Sequence, residues 1–164
     1  MQPAVSEPDV RGSESRDSES GTPPNRVLFA LIAVFSVAGL AVSAVSLQRH
    51  YAKSASEFCD FSQKFSCDIV NRSEYSSIMG IPVAGIGVAG YVALLLLATR
   101  RRSRPDTPNW LLGATFAGLA FALYLTYIEA YVLTTWCILC LISLALIAAI
   151  SLLSLAVKLR SAKA

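Results

Sequence analysis

The chain has 164 residues, 54% of them hydrophobic and only 15% charged, with 14 Lys and Arg against 11 Asp and Glu for a net charge of +3. Its apolar residues fall in blocks as long as the roughly 20 residues a helix needs to cross a bilayer at about 1.5 Å per residue. That patterning excludes a water-soluble globular domain, and the length suits one compact membrane domain.

Residues 1–25 carry five acids (Glu7, Asp9, Glu14, Asp17, Glu19) and two bases (Arg11, Arg16), are rich in Ser, Pro and Glu, and hold almost no large apolar side chain. Such a stretch buries too little surface to offset the entropy of ordering, so residues 1–25 read as a disordered tail. It lacks the basic start of a signal peptide. Ala41–Ser43 mimics a cleavage site, but the apolar run before it is long for one.

Four apolar blocks follow, at Val27–Leu47, Ile78–Thr99, Trp110–Leu133 and Cys137–Val157, and none contains an internal Lys or Arg. Lipid admits only helices or closed barrels, and continuous apolar runs are helical rather than alternating. The expected fold is an all-α membrane protein. It is a four-transmembrane-helix bundle over residues 26–158, with a long extracytoplasmic loop between helices 1 and 2 and a short cytoplasmic tail at 159–164. Small residues four apart let helix backbones approach: Gly39 and Ser43, Gly80 and Ala84, then Ala114, Gly118 and Ala122. Ordinary membrane composition also favours Gly and Ala.

Orientation follows from Lys and Arg near the helix ends. Arg26 precedes the first block, Arg100, Arg101, Arg102 and Arg104 crowd the connection after the second, and Lys158, Arg160 and Lys163 close the chain. With four crossings these share one face, expected to be cytoplasmic. Residues 48–77 and the turn at Thr134–Trp136 then face outward.

All four cysteines fall on that outer face, Cys59 and Cys67 in the loop and Cys137 and Cys140 at the start of the last block. Disulfides persist outside a bacterial inner membrane or in the endoplasmic reticulum lumen. A C-x-x-C pair opening a helix is a redox arrangement, because the positive end of the helix lowers the thiolate pKa of its first cysteine. Structural disulfides, buried inert thiols and zinc are the rival readings, although C-x7-C is a poor zinc spacing and no metal is expected. Cys140 lies about 4.5 Å deeper along the helix than Cys137. Cys137 is therefore expected nearer water and the loop, with Cys140 near the lipid phase. Electrons from a soluble dithiol would pass by thiol–disulfide exchange through the loop pair to Cys137, then to a lipid-soluble two-electron acceptor such as a quinone beside Cys140.

Four other features stand out. Phe58, Phe61 and Phe65 are spaced so that a short helix would gather them on one face, resting on the membrane or covering the bundle mouth. Glu129 is the one carboxylate inside a predicted span; it either serves the quinone, by a hydrogen bond or a proton, or reaches water at the interface. Tyr124, Tyr127 and Tyr131 share a helical face and read as an interface belt or packing stripe. His50 reads as a solvated group.

The outward C-x7-C loop, Ser73 six residues after Cys67, the run "GIPVAGIGVAGY" and the C-x-x-C opening the last helix resemble the vitamin K epoxide reductase family in its bacterial homologues. The likeness covers about residues 27–157. It implies a four-helix bundle that couples thiol oxidation to reduction of a quinone, ubiquinone or menaquinone, or of its epoxide. It further implies that Cys140 attacks the quinone, Cys137 bridges to it, Cys67 hands electrons to Cys137, and Cys59 meets the external thiol. Ser73 matches a family serine near the active site. Two positions depart: Ser76 stands where the animal enzyme has Asn before its "SIFG", and Leu144 where it has Tyr. Those positions touch anticoagulants in the animal enzyme, so epoxide reduction and drug sensitivity are not carried over. Ser73, Ser76, Glu129 and Cys140 are the candidate quinone-side residues. Some bacterial members carry a fused thioredoxin-like domain; here that partner is expected as a separate extracytoplasmic protein. Membrane lipid is the other expected partner, and nucleic acid is not.

The function expected is a thiol:quinone oxidoreductase of the bacterial inner membrane supporting disulfide formation. A second four-helix oxidase family does the same work, but its redox C-x-x-C lies in the first outward loop. The non-enzymatic alternative is a scaffold whose cysteines staple the outer loop.

Overall fold

The computed structural model describes residues 23–51, 60–62, 65–100 and 106–163. The chain runs α1 (Pro23–Tyr51), β1 (Asp60–Ser62), β2 (Phe65–Ser66), α2 (Cys67–Arg72), a 3-10 turn (Glu74–Ser76), β3 (Ser77–Ile78), β4 (Ile81–Pro82), α3 (Val83–Thr99), α4 (Thr107–Ile128), a π-helical turn (Glu129–Leu133) and α5 (Ile138–Lys163). Among the described residues, three segments are long and apolar enough to cross a membrane, Arg26–Tyr51, Thr107–Leu133 and Ile138–Ala162, and Val83–Thr99 is a shorter apolar helix. The protein is an all-α membrane protein, with two minimal hairpins among those residues.

Several boundaries move. The first helix begins at Pro23, inside the predicted tail, because proline is tolerated in a first turn where its missing N–H has no partner to lose. The remainder of that tail, residues 1–22, lies outside the described residues, as do Phe58, Cys59 and Arg101–Arg104. The last helix continues to Lys163 through the predicted C-terminal tail: Lys158–Lys163 holds no breaker, and its cations suit the negative helix end.

The second apolar block does not start its helix at Ile78. β3 and β4 pair antiparallel, Ile78 opposite Ile81, around Met79 (φ 53°) and Gly80 (φ 82°). Two positive φ values in succession make the mirror-image turn that suits the twist of a hairpin. Gly80 takes that conformation without strain, whereas Met79 does so with its side chain 98% exposed. Pro82 then caps α3, so Gly80 and Ala84 do not form a helical small-residue pair. The loop between Cys59 and Cys67 also departs from expectation: β1 and β2 pair antiparallel there, where a short helix was expected. Phe61 and Phe65, of a residue type that favours strand, fall in the paired segments.

Packing centres on α1, which lies against α3 and α5, while α4 lies against α5. The core joins Phe29, Ile32, Tyr91, Leu94, Leu111, Ile147 and Ile150. Gly39 is required by closeness: a Cβ there would run into the Tyr91 ring. One turn on, a Cβ at Gly87 would come within 2.9 Å of Ser43 Oγ, so the α1–α3 seam is a small-residue contact of the expected kind. Polar bonds tie the other helices. Tyr91 Oη donates to the Ser143 carbonyl (3.0 Å), linking α3 to α5, and Ser151 Oγ bonds the Ile147 and Thr115 carbonyls (2.8 and 3.3 Å), linking α5 to α4. Tyr124, Tyr127 and Tyr131 are exposed on the outer surface, the last two with ring centroids 4.8 Å apart.

Candidate functional site

Cys67 opens α2 because Ser66 caps it. Ser66 is extended (φ −143°), and its hydroxyl accepts from the Ile69 N–H at 3.3 Å, a cap worth about 1 kcal/mol. Asp68 in the first turn and Arg72 in the last complement the helix dipole. The Ser66 N–H donates to the Trp136 carbonyl at 3.2 Å. That single backbone bond sets Cys67 beside Cys137, the next residue on each strand of chain. Both thiols are fully buried, in a small cluster with Val70, Leu133, Leu139 and Cys140.

The side chains then form a chain of hydrogen bonds. Cys67 donates to Cys137, Cys137 to Cys140, and Cys140 to the Glu129 carboxylate. Donor atoms of Glu129, Cys137 and Cys140 all lie within 4.8 Å of one another, a set also able to hold a soft divalent ion such as zinc. Cys137, one residue ahead of the span beginning at Ile138, does not have the lowered thiol expected of a helix start. Its pKa is pushed up, most of all by its hydrogen bond to Cys140; the bond from Cys67 opposes this next in size, and burial adds a smaller rise. Cys137 is covered by α2 beside the loop cysteine Cys67, while Cys140 is only partly buried.

Glu129 begins the π-helical turn that ends α4, a widened turn closed by Thr134 in the left-handed conformation (φ 51°). The carboxylate is turned inward and only 1% exposed, so the reading in which it reaches water does not hold. Its Oε2 accepts the Cys137 N–H at 3.2 Å, capping the chain as it enters α5. Its Oε1 has no partner among the described residues.

A cavity of about 400 Å³ opens between α1, α2, α3, α4 and α5, and Cys140, Glu129, Ser73 and Ser76 all line it. Cys67 and Cys137 lie behind that wall. Ser73 Oγ donates to the Val70 carbonyl (2.8 Å) and Ser76 Oγ to the Ser73 carbonyl (2.6 Å), so both hydroxyl protons are committed to backbone. Most of the remaining wall is Ala, Gly, Val, Ile and Leu. The volume and the apolar lining fit a ring-sized lipid-soluble ligand with few polar contacts.

Three cavity residues escape a reading of the sequence. His50, expected to be solvated, is half-buried; its Nδ1 donates to the Asn71 carbonyl at 2.5 Å and lies 3.5 Å from Ser76 Oγ. Ser46 and Asn71, buried on α1 and α2, pair through Ser46 Oγ and Asn71 Oδ1 at 2.8 Å. No local pattern marks them, because they meet across 25 residues of chain. The family model that describes the vitamin K epoxide reductase family matches residues 30–155, most of the chain and the whole of the site above, and the protein is a multi-pass membrane member of that family.

Proposed function

We propose that the protein is a thiol:quinone oxidoreductase of the bacterial inner membrane. It takes electrons from an extracytoplasmic thioredoxin-like dithiol protein and passes them to a membrane quinone, supporting disulfide formation. The observation that carries this is the position of Cys140. It faces the apolar cavity on one side and is bonded through Cys137 to Cys67 on the other.

Cys59 meets the partner's thiolate, and the loop pair Cys59–Cys67 is reduced as the partner is oxidised. Cys67 then attacks a Cys137–Cys140 disulfide at Cys137, the sulfur it already touches, and Cys59 resolves the mixed disulfide. The helix pair is left as two thiols. Cys140 gives its proton to Glu129 and presents sulfur to the cavity. Cys137 closes the disulfide with Cys140 as the quinone is reduced. Two thiols become one disulfide, and the two electrons and two protons released convert quinone to hydroquinone. Glu129, bonded to Cys140 and with a free oxygen, holds the proton between sulfur and quinone oxygen. Ser73 and Ser76 shape the polar end of the pocket.

Four crossings place both termini and Arg100–Arg104 in the cytoplasm and residues 48–77 outside. Val83–Thr99 makes the fourth span; its 17 residues cover about 25 Å, which the bilayer accommodates by local thinning. The test is quinone reduction by the purified protein, driven by a reduced thioredoxin-like protein and, separately, by a small dithiol. Absence of turnover with both, for ubiquinone and menaquinone alike, would refute the proposal and favour a scaffold.

A further inference from the structure

Two buried polar atoms on the cavity wall lack a partner among the described residues: Glu129 Oε1 and Asn71 Nδ2. The first belongs to the thiol chain. The second has no part in it, and an orphaned buried amide group costs about 1–3 kcal/mol unless something in the cavity satisfies it.

Asn71 is held in place from three directions. It is 7% exposed and sits in α2, one helical turn after Cys67. Its backbone carbonyl accepts from His50 Nδ1 at 2.5 Å, and its side-chain Oδ1 accepts from Ser46 Oγ at 2.8 Å. With those groups fixed, the amide cannot turn away to find a partner elsewhere. Whichever way its N and O are assigned, one of the two is taken by Ser46 and the other is left for the cavity. Serine and histidine from α1 thus brace an amide in the wall of a mostly apolar space.

We propose that Asn71 is the second polar anchor of the quinone ring, donating Nδ2–H to the carbonyl remote from Cys140. This rests on the quinone reading above and adds to it. A quinone has two carbonyl oxygens. One is served on the thiol side by Glu129, and an apolar pocket with no donor for the other would leave the ring free to rotate away from Cys140. A fixed donor on α2 sets the ring's orientation. It also selects for carbonyl-bearing rings over apolar molecules of the same size, because a site built to hydrogen-bond rejects ligands that leave it unpaired. When the ring is reduced, an amide turned end for end accepts from the hydroquinone hydroxyl, so the same side chain serves both redox states.

The experiment compares wild-type protein with Asn71→Ala, using a small dithiol as reductant and a short-chain benzoquinone as acceptor. The quinone KM should rise about tenfold, the effect of one lost neutral hydrogen bond, while kcat changes by less than about threefold. The carbonyl stretch of bound quinone, measured by infrared difference spectroscopy, should shift to higher frequency in the variant. A purely structural role would not move that band. An analogue lacking the carbonyl remote from Cys140 should bind the variant at least as tightly as wild type, because only the wild-type amide is left unpaired by it. If Asn71→Ala does not fold, Asn71→Asp keeps the shape and the Ser46 contact but lacks the amide donor, and the same readouts apply. Wild-type turnover with an unchanged KM and an unshifted band in the variant would overturn the assignment, with water satisfying the amide instead. Failure of the wild type to reduce any quinone would instead sink the proposed function itself.

Discussion

Replacing Glu129 with glutamine separates two roles that one carboxylate combines in this structure. Oε2 caps the entry to α5 by accepting the Cys137 N–H at 3.2 Å, and the same group accepts the Cys140 thiol proton. Glutamine keeps an oxygen for the N–H, so the cap, worth about 1 kcal/mol, survives. What it loses is basicity. Positioned acid–base groups contribute about 100-fold or more, so kcat for quinone reduction at neutral pH should fall at least about 100-fold, or about 2.7 kcal/mol in the barrier. Melting temperature should hold or rise, because a buried ionisable group has been neutralised. Raising the pH should restore much of the rate, since bulk base can then remove the thiol proton that Glu129 took. Alanine at the same position removes the cap as well and leaves a buried N–H unpaired, at a further cost of about 1–3 kcal/mol. It should therefore lower stability and rate together, without rescue at high pH. The assay is steady-state quinone reduction across pH, paired with thermal unfolding in detergent. Wild-type turnover in Glu129→Gln at neutral pH, with loss confined to Glu129→Ala, would refute the reasoning and leave Glu129 as a helix cap alone.

The two helix cysteines should behave differently when removed singly. Cys137→Ala strips Cys140 of its bridging partner, so its thiolate should accumulate against bound quinone and absorb in the visible. Cys140→Ala should show no such band but should trap a Cys67–Cys137 disulfide; the reverse pattern would invert the assigned order. Before oxidation, Cys140→Ala also deletes the main cause of the raised Cys137 thiol pKa, so alkylation of Cys137 should reach half-maximal rate at lower pH than in wild type, as mass spectrometry of the labelled peptide would show. Cys67→Ser should block turnover with a folded dithiol protein while sparing reduction by a small thiol, and equal loss with both would make the loop pair structural. A cysteine probe at Ser103 should resist an impermeant reagent added to intact cells, and labelling from outside would overturn the topology.

Much of this architecture is legible in the order of residues because it rests on local physics. Uninterrupted apolar blocks have to become helices in lipid, since no other open structure satisfies their backbone groups, and three of the four predicted spans appear close to their expected positions. The C-x-x-C spacing puts Cys137 and Cys140 within one turn whatever surrounds them. What the order of residues leaves open is everything made by elements meeting. Cys67 reaches Cys137 only because Ser66 N–H finds the Trp136 carbonyl across 70 residues of chain. The lowered thiol expected for Cys137 fails because its bond to Cys140, and to a lesser degree burial, oppose the helix end. Glu129 looked able to reach water, yet a π-helical turn, for which the local sequence carries no signal, swings it inward onto Cys140. His50 and Asn71 look like ordinary loop-side polar residues until α1 and α2 pack and enclose them. Helix formation depends on a residue and its near neighbours; a cavity depends on which side chains several helices bring to one point, and only the tertiary structure decides that.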